Sequence, residues 1–558
     1  MIGVSKTSLG ARGRAGLRRL ADVSSRDVAA VVTGRLEVVG GIAATAAALY
    51  LSFRFAAEAG PLWRDEVSAL NLANQPRVAD LFRALAVDSM PSFFPMVLRA
   101  WGMVGGADQD GALRFLGFLV AVATFGAVWL SARALAVTVP LFGLVVFALH
   151  GVVLQTVGSV KPYGLGVVLL CLVVGGLWRV VSIPSTVTVI GTSVIAMLAV
   201  NTVYQNLPVI MACCLAGGLV AAVSRDWKAA GRVSVVATMT VVSLLPYASV
   251  VARSSDWRPL VRTDNTLGRL TIRLTDIFAD WNRPLRVVWL LACVVGILAA
   301  IDAVRRAGPR TNARSIYAAL VAIGAPLALI VFFQLAAGNL EPWHVASLIG
   351  VVALGLDVLL ARTFVLRSLR VVLVVAAAVI VLPLSSNWVG VRQTNVDLIA
   401  TFVKTAAQDG DAIVVNPWFL GITFNRYYDG RVSWITVPPI RDVRIHRYDL
   451  VKEQMADPET MTPVYRAIRT ALESGHQVWL VGGAQFIPPD QTPETLPAAP
   501  AAPTGWQHPA YYRAWSRGIG RFVETHATHL EIARVEAGQP VWRLEGATLM
   551  VAYGWRTP

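Results

Sequence analysis

Charged residues are scarce in this chain of 558 residues: they make up 15% of the sequence, against 55% hydrophobic residues. A water-soluble globular protein has about a quarter of its residues charged and cannot hide so large an apolar fraction in one core. Cysteines are also few: there are four, each within a long apolar run. The sequence therefore offers no disulfide framework and no cysteine-based metal site, and it predicts a membrane protein.

Long apolar runs recur along the first 388 residues. A helix needs about 20 residues to cross roughly 30 Å of hydrocarbon, and the runs have about that length. The predicted spans lie near residues 37–57, 112–134, 139–156, 162–180, 186–203, 206–223, 232–251, 286–304, 315–336, 344–361 and 370–388. The predicted fold class is a polytopic α-helical membrane protein of about 11 spans.

Lysine and arginine concentrate before the first span, in residues 1–36, and in every second connection after it. Such connections stay in the cytoplasm, so an odd number of spans puts loops 58–111 and 252–285 and the tail from residue 389 outside the plasma membrane. The net charge of +15 then largely reflects topology. The basic tail has no aromatic residues on which bases stack, and nucleic acid is not expected as a partner.

The segment 389–558 has a different pattern. Amphipathic helix, glycine turn and short apolar strand follow one another in "VDLIATFVKTAAQDGDAIVVNP" and again in "TPVYRAIRTALESGHQVWLVGG". This alternation predicts an α/β domain with a partly parallel sheet, interrupted by an exposed proline-rich loop at 487–505. No glycine-rich phosphate motif follows a strand, so a binding or stabilising role is favoured over catalysis.

Three charged residues, Arg64, Asp65 and Glu66, stand together in "GPLWRDEVSALNLANQ", soon after the first span. Alone, they are more typical of the solvated end of a helix at the membrane interface. The same loop, 58–111, contains "AVDSMPSFFPMVLRAWGMVG", in which Asp88 precedes a proline-interrupted stretch suited to lying on a membrane surface. A carboxylate at such a surface can accept the proton of a hydroxyl nucleophile.

The ordered set of motifs resembles the GT-C superfamily of membrane glycosyltransferases, which includes protein O-mannosyltransferases, aminoarabinose transferases of lipid A and many actinobacterial envelope enzymes. The shared features are an acidic pair in the first external loop, an aspartate with prolines before a surface helix, a Leu-Arg pair entering the second span, and a basic residue, Pro and Tyr starting the fourth. In this sequence they are Asp65-Glu66, Asp88 through Pro95, Leu113-Arg114 and Lys161-Pro162-Tyr163.

The resemblance implies transfer of a sugar from a polyprenyl-phosphate donor to an acceptor hydroxyl, with Asp65 and Glu66 catalytic and Asp65 the base. The residues it assigns to the donor phosphate and sugar are Arg64, Asp88, Lys161, Tyr163 and His344. His344 departs from the Arg-Tyr of many members. The arginines of loop 252–285 are further phosphate candidates, with a solvated, charge-balanced loop as the equal alternative. No metal or other cofactor is expected, although the carboxylate pair could recruit a divalent ion.

Mannose is the favoured sugar, because "RDE" is similar to protein mannosyltransferases and the whole chain is similar to mycobacterial mannosyltransferases that elaborate lipoarabinomannan. The acceptor is then an envelope glycan or lipoglycan. Arabinose from decaprenyl phosphate is the nearest alternative. A transporter of lipid-linked sugars and an inactive scaffold also stay open, although no ionisable midplane groups or internal repeats typical of ion-coupled transport are visible.

Overall fold

The computed structural model describes residues 9–88, 90–107, 109–263, 265–488, 491–492, 496–499 and 508–557. Residues 1–8 of the predicted basic tail lie outside the described residues, as do positions 489–490, 493–495 and 500–505 of the predicted proline-rich loop.

Helices form most of the structure up to residue 389. They are α1 (Leu9–Glu58), α2 (Arg64–Ala73), α3 (Val78–Ala84), α4 (Phe93–Met103), α5 (Asp110–Ala134), α6 (Gly151–Gly158), α7 (Pro162–Ser182), α8 (Thr186–Thr202), α9 (Asn206–Val223), α10 (Trp227–Val242), α11 (Ala248–Ser254), α12 (Leu267–Phe278), α13 (Arg283–Thr311), α14 (Ala313–Ala336), α15 (Pro342–Leu360) and α16 (Phe364–Val389). A π-helix spans Gly143–Phe147, and short 3₁₀ helices span Leu245–Tyr247 and Arg258–Val261.

Nine helices of the described part are long and apolar enough to cross a membrane. They cover Ala30–Glu58, Asp110–Ala134, Pro162–Ser182, Asn206–Val223, Trp227–Ser254, Arg283–Thr311, Ala313–Ala336, Pro342–Leu360 and Val365–Val389. Of the other two predicted spans, 186–203 corresponds to the shorter apolar helix α8, and 139–156 is divided between the π-helix and α6.

Asp357 caps the start of the π-helix. Its carboxylate, which is buried in α15, accepts the backbone N–H groups of Phe142 and Gly143 at 3.0 and 2.9 Å. The first amides of a helix have no carbonyl partner within the helix, and this side chain supplies one. The chain leaves the helical conformation at residues 148–150 and begins α6 at Gly151, so this apolar run forms two short helical pieces.

The C-terminal domain contains the helices α17 (Val396–Ala406), α18 (Leu420–Tyr427), α19 (Tyr448–Ala456), α20 (Thr462–Glu473) and α21 (His508–His526). Its strands are β1 (Ala412–Val415), β2 (Trp434–Thr436), β3 (Val478–Val481), β4 (Ala527–Ala533) and β5 (Leu549–Trp555). They form one sheet in the order β2-β1-β3-β5-β4. The pairs β1–β2 and β1–β3 are parallel, whereas β3–β5 and β4–β5 are antiparallel.

The central strands β1 and β3 are buried along their whole length, because helices cover both faces of the sheet. Apolar side chains of α17 pack on one face and those of α20 on the other. Buried parallel strands of this kind have continuous apolar runs in their sequence. The predicted fold class, a polytopic helical membrane protein with a C-terminal α/β domain, is confirmed.

Loop 58–111 and the C-terminal domain pack together and share one apolar core. The backbone N–H of Leu62 donates to the Tyr427 hydroxyl at 2.7 Å, and the Asn71 side chain donates to the carbonyl of Arg444 at 2.7 Å. These contacts fix the domain over α2. Any group near the start of α2 therefore faces the domain as well as the helix bundle.

Candidate active site

Glu66 fixes the start of α2. Its fully buried carboxylate accepts the N–H of Trp63 at 3.2 Å and pairs with the Arg114 guanidinium at 2.5 and 2.9 Å. It also accepts the N–H of Val160 at 2.8 Å. Both oxygens are therefore occupied by the chain itself. The sequence motif predicted that Glu66 is catalytic together with Asp65, whereas this geometry suits a positioning role. Glu66 connects α2 to α5 and to the residue before Lys161.

Lys161 is the last extended residue before α7, because Pro162 occupies the first turn, where its missing N–H loses no helical hydrogen bond. A lysine at a span end commonly reaches for the interface, but this one is only 6% exposed. Its ammonium lies 4.4 Å from the ring centroid of Trp63, 4.3 Å from that of Trp343 and 5.1 Å from that of Tyr163. The aromatic faces hold the cation in place.

Asp65 joins the two halves of the site. One carboxylate oxygen lies 2.7 Å from Lys161 Nζ, and the other lies 3.4 Å from His446 Nε2 and 3.4 Å from Arg64 Nε. Burial alone would raise the pKa of Asp65, but the charge of Lys161 and the hydrogen bond from His446 outweigh it and hold that pKa well below its usual range. Asp65 is therefore a carboxylate with cations on both sides.

Asp88 reaches the same site through His446 of the C-terminal domain. His446 Nδ1 lies 3.4 Å from Asp88 Oδ2, and the Ser68 hydroxyl donates to that same oxygen. Burial would lower the pKa of His446, but the charge of Asp88 and hydrogen bonds with both aspartates raise it to about 9. The imidazolium at neutral pH thus bridges Asp65 and Asp88.

A polar cavity of about 170 Å³ lies among these groups. Its lining consists of Asp65, Asp88, Met90, Lys161, Pro162, Tyr163, His446 and Tyr448. Four predicted site residues, Asp65, Asp88, Lys161 and Tyr163, are thus brought together around one space, whereas Glu66, Arg64 and His344 do not line it. A reacting group in the cavity would meet carboxylates and cations at the same time.

Arg64 points towards the C-terminal domain. Its Nε lies 3.2 Å from a carboxylate oxygen of Glu545, and its guanidinium lies 4.2 Å from the ring centroid of Phe419. Burial raises the pKa of Glu545 to about 7, although the nearby Arg64 charge acts to lower it. Arg64 therefore connects Asp65 to the domain, and its predicted contact with the donor remains a prediction.

His344 lies behind Tyr163. Its Nδ1 accepts the N–H of Glu341 at 3.1 Å, and its Nε2 lies 3.3 Å from the Tyr163 hydroxyl and 3.1 Å from the indole nitrogen of Trp343. Since both ring nitrogens have partners within the protein, His344 supports the wall of the cavity that Tyr163 lines. Its predicted contact with the donor also remains a prediction.

Arg273 of loop 252–285, and Arg286 just after that loop, are held by the chain itself. Arg273 donates to the carbonyl of Leu340 at 2.7 Å, and Arg286 pairs with Asp276. Neither residue lines the polar cavity. For these two positions, the charge-balanced interpretation of the loop fits better than phosphate binding.

The predicted site residues do not include His446, Tyr448 or Glu545, because the sequence pattern of the C-terminal domain favours a binding or stabilising role. His446 stands in "IRDVRIHRYDL", where no motif marks it. The signal that could have indicated His446 is charge. Two aspartates of loop 58–111, Asp65 and Asp88, require more positive charge than Lys161 alone supplies. Among the described residues, no group of three or more His, Cys, Asp or Glu side chains is arranged to hold a metal ion. The expected absence of a cofactor stays a prediction.

Comparison with known proteins gives matches among solved structures but not among family models or curated proteins. No family model matches the sequence, and no curated protein matches it. Among solved structures, the chain is similar to ArnT from Cupriavidus metallidurans in the apo state, with a TM-score of 0.47 and 12% sequence identity. The likeness covers 79% of this chain and 92% of that chain.

Proposed function

We propose that this chain is a membrane glycosyltransferase that moves a sugar from a polyprenyl phosphate to a hydroxyl of a cell-envelope glycan or lipoglycan at the outer face of the plasma membrane. The observation that carries the proposal is the pair formed by Asp65 and Lys161, 2.7 Å apart at one cavity. A proton acceptor and a fixed cation are the groups that such a transfer needs. The GT-C-like motifs supply the reaction class.

In this reaction the acceptor oxygen forms a bond to the anomeric carbon, and the bond from that carbon to the phosphate oxygen breaks. The electron pair leaves with the phosphate. Asp65 takes the proton of the acceptor hydroxyl, and Lys161 stabilises the charge that develops on the phosphate. A single displacement of this kind inverts the configuration at the anomeric carbon.

Asp65 is a weak base while Lys161 neutralises it, since the ammonium lowers its pKa. A donor phosphate entering the cavity competes for the same ammonium. Asp65 then loses part of its stabilising charge and becomes more basic. Donor binding thereby activates the base, which limits proton abstraction when no sugar is available.

A groove between α9 and α14 suits the polyprenyl tail. It has a volume of about 640 Å³, and nearly all of its lining is aliphatic or aromatic. Phe332 lines the groove, and the neighbouring Phe333 ring lies 5.2 Å from the ring of His344, which in turn contacts Tyr163 at the polar cavity. A lipid lying in this groove would have its phosphate end directed to the cavity.

Mannose is the sugar that we propose, on the sequence resemblance to mannosyltransferases. The support for mannose is the "RDE" motif and the similarity to enzymes that elaborate lipoarabinomannan. Decaprenyl-phosphate arabinose is the alternative donor. Both donors therefore belong in the same assay.

The test uses the full chain in lipid nanodiscs with a radiolabelled polyprenyl-phosphate mannose or decaprenyl-phosphate arabinose and an envelope glycan fraction. We expect Asp65→Asn to reduce labelling of the glycan by at least about 10³-fold with unchanged abundance, because the base is lost. Asp302→Asn is the matched control, since Asp302 pairs with Arg306 on an exposed face of α13 and should keep full activity.

Two results would contradict the proposal. Normal transfer by Asp65→Asn would show that Asp65 is not the base. Movement of intact donor across a membrane by wild type, with no release of polyprenyl phosphate, indicates the transporter instead.

A further inference from the structure

The C-terminal domain carries a second cavity, of about 490 Å³, outside the polar cavity described above. It is bounded by the segment from Gln454 to Tyr465, by α21, and by Leu496, Pro497 and Ala498 on its outer side. We call it the α21 groove. None of its lining residues is used by the proposed transfer reaction.

Aromatic rings form the floor of the α21 groove. The rings of Tyr465 and Phe522 stack at 5.1 Å with an interplanar angle of 20°, and Tyr511 and Trp515 lie 5.7 Å apart. Tyr465 fits over Gly518, where a Cβ would lie 2.4 Å from the tyrosine hydroxyl. The absence of a side chain at this position of α21 therefore leaves room for the ring.

Polar groups surround this floor. The exposed side chains of Arg521 and Asp457 lie at the rim, and Thr460 donates to the Gln454 amide oxygen at 2.5 Å. The Tyr511 hydroxyl donates to the carbonyl of Pro497 at 2.8 Å and so holds the outer wall. An apolar floor with a hydrogen-bonding rim suits a ligand that has flat apolar faces and polar edges.

A series of ring contacts connects the α21 groove with the polar cavity. Tyr448, which lines the cavity, lies 6.2 Å from His508, and His508 lies 4.5 Å from Tyr512. Tyr512 in turn lies 6.3 Å from Trp515, which lines the groove. One face of α21 therefore presents aromatic side chains from the site of the proposed transfer to the groove.

We infer that the α21 groove binds the acceptor glycan, several sugar units away from the hydroxyl that reacts; this inference rests on the proposed transferase function. A pyranose or furanose ring has a C–H face that packs on an aromatic ring and hydroxyls that bond the rim. A glycan chain is also long enough to occupy the groove and the cavity together. The C-terminal domain then selects the acceptor as well as supplying His446.

Binding is tested with the full chain in lipid nanodiscs by saturation-transfer NMR, with mannotetraose and arabinotetraose as probes and a proline hexapeptide as the competing class. We expect Tyr511→Ala to weaken binding of one tetrasaccharide about tenfold, because a stacking ring is lost. Tyr511→Phe keeps the ring but loses the hydrogen bond to Pro497, so its binding should lie between that of Tyr511→Ala and that of wild type. Arg513→Ala is the matched control, because Arg513 is exposed on α21 and does not line the groove.

Transfer kinetics provide the second readout. Tyr511→Ala should raise KM for a long glycan acceptor about tenfold and leave kcat unchanged, while a monosaccharide acceptor is used as by wild type. Asp65→Asn should bind the tetrasaccharide normally. Glycan binding without any transfer would refute the proposed function, but the α21 groove would still be a glycan-binding site.

Four results would overturn the assignment of the α21 groove to the acceptor glycan. In binding, they are that Tyr511→Ala and wild type bind the tetrasaccharide equally, that wild type binds only the peptide, or that wild type binds neither glycan. In kinetics, it is that Tyr511→Ala leaves KM for the long glycan acceptor unchanged.

Discussion

Buried charges occur at both ends of the helix bundle, and the two groups are built differently. The active-site cluster consists of Asp65, Asp88, Lys161 and His446. The basal cluster consists of Glu37, Asp357, Arg367 and Arg370. Both contain two acids and two cations, so composition alone does not separate them.

The basal cluster is closed. Arg370 is buried and bonds Glu37 at 2.5 Å, Asp357 at 3.0 Å and the carbonyl of Val139 at 3.2 Å. Its four members belong to helices α1, α15 and α16, and none of them lines a cavity described above. Such a network fixes the packing of helices.

The active-site cluster is open and its members come from separate parts of the fold. Asp65 lies at the start of α2, Lys161 precedes α7, and His446 comes from the C-terminal domain. The contacts of His446 are long, 3.4 Å to each aspartate, and the cluster faces a cavity. The difference teaches that composition does not separate a packing network from a candidate site, whereas space for another partner does.

The comparison predicts its largest effect for Arg370→Ala. This substitution leaves the carboxylates of Glu37 and Asp357 buried without their shared cation, which should destabilise the fold by about 3–5 kcal/mol. Thermal unfolding of detergent-purified protein measures the loss. Arg306→Ala is the control, because its pair with Asp302 is exposed and should contribute little. If Arg370→Ala were fully stable but inactive, the basal cluster would be functional.

His446→Gln should reduce kcat about 10²-fold, because the bridge between Asp65 and Asp88 loses its charge. The melting temperature should change far less than that of Arg370→Ala. Steady-state transfer kinetics and thermal unfolding on the same preparation separate the two effects. Full activity of His446→Gln would show that the C-terminal domain supplies no residue that the reaction requires at this position.

Lys161→Ala should raise KM for the lipid-phosphate donor about tenfold to a hundredfold, since a charged hydrogen bond contributes roughly 1.5–3 kcal/mol. KM for the acceptor should stay constant. Lys161→Arg preserves the charge, and its KM for the donor should lie between those of wild type and Lys161→Ala. A donor KM equal to that of wild type would show that Lys161 does not bind phosphate.

The pH dependence should show the smallest and most gradual effect. The folded-state pKa of His446 is raised from 6.5 to about 9, so its stabilisation is complete below about pH 6.5 and is lost as the pH rises through about 9. Thermal stability measured from pH 6 to pH 10 should therefore fall in the upper part of this range. His446→Gln should flatten the decline, and an identical decline in that variant would assign it to another group.

Local patterns predicted the helices and the acidic loop, but they could not distinguish Asp65 from Glu66. The two are adjacent in sequence, and only the packing of Arg114 against Glu66 leaves Asp65 to face the cavity. His446 and Glu545 were missed because their roles arise from docking of a whole domain. The capping of the π-helix by Asp357 was missed for the same reason, since Asp357 belongs to a distant helix.

Asp88 precedes its partner His446 by 358 residues, and a ribosome therefore makes most of the chain before the two can meet. A nascent chain that has inserted its first helices carries the aspartates and the lysine but lacks the imidazole. If the chain is the proposed transferase, biosynthesis itself delays the onset of activity until the α/β domain has been made and has folded against the loop.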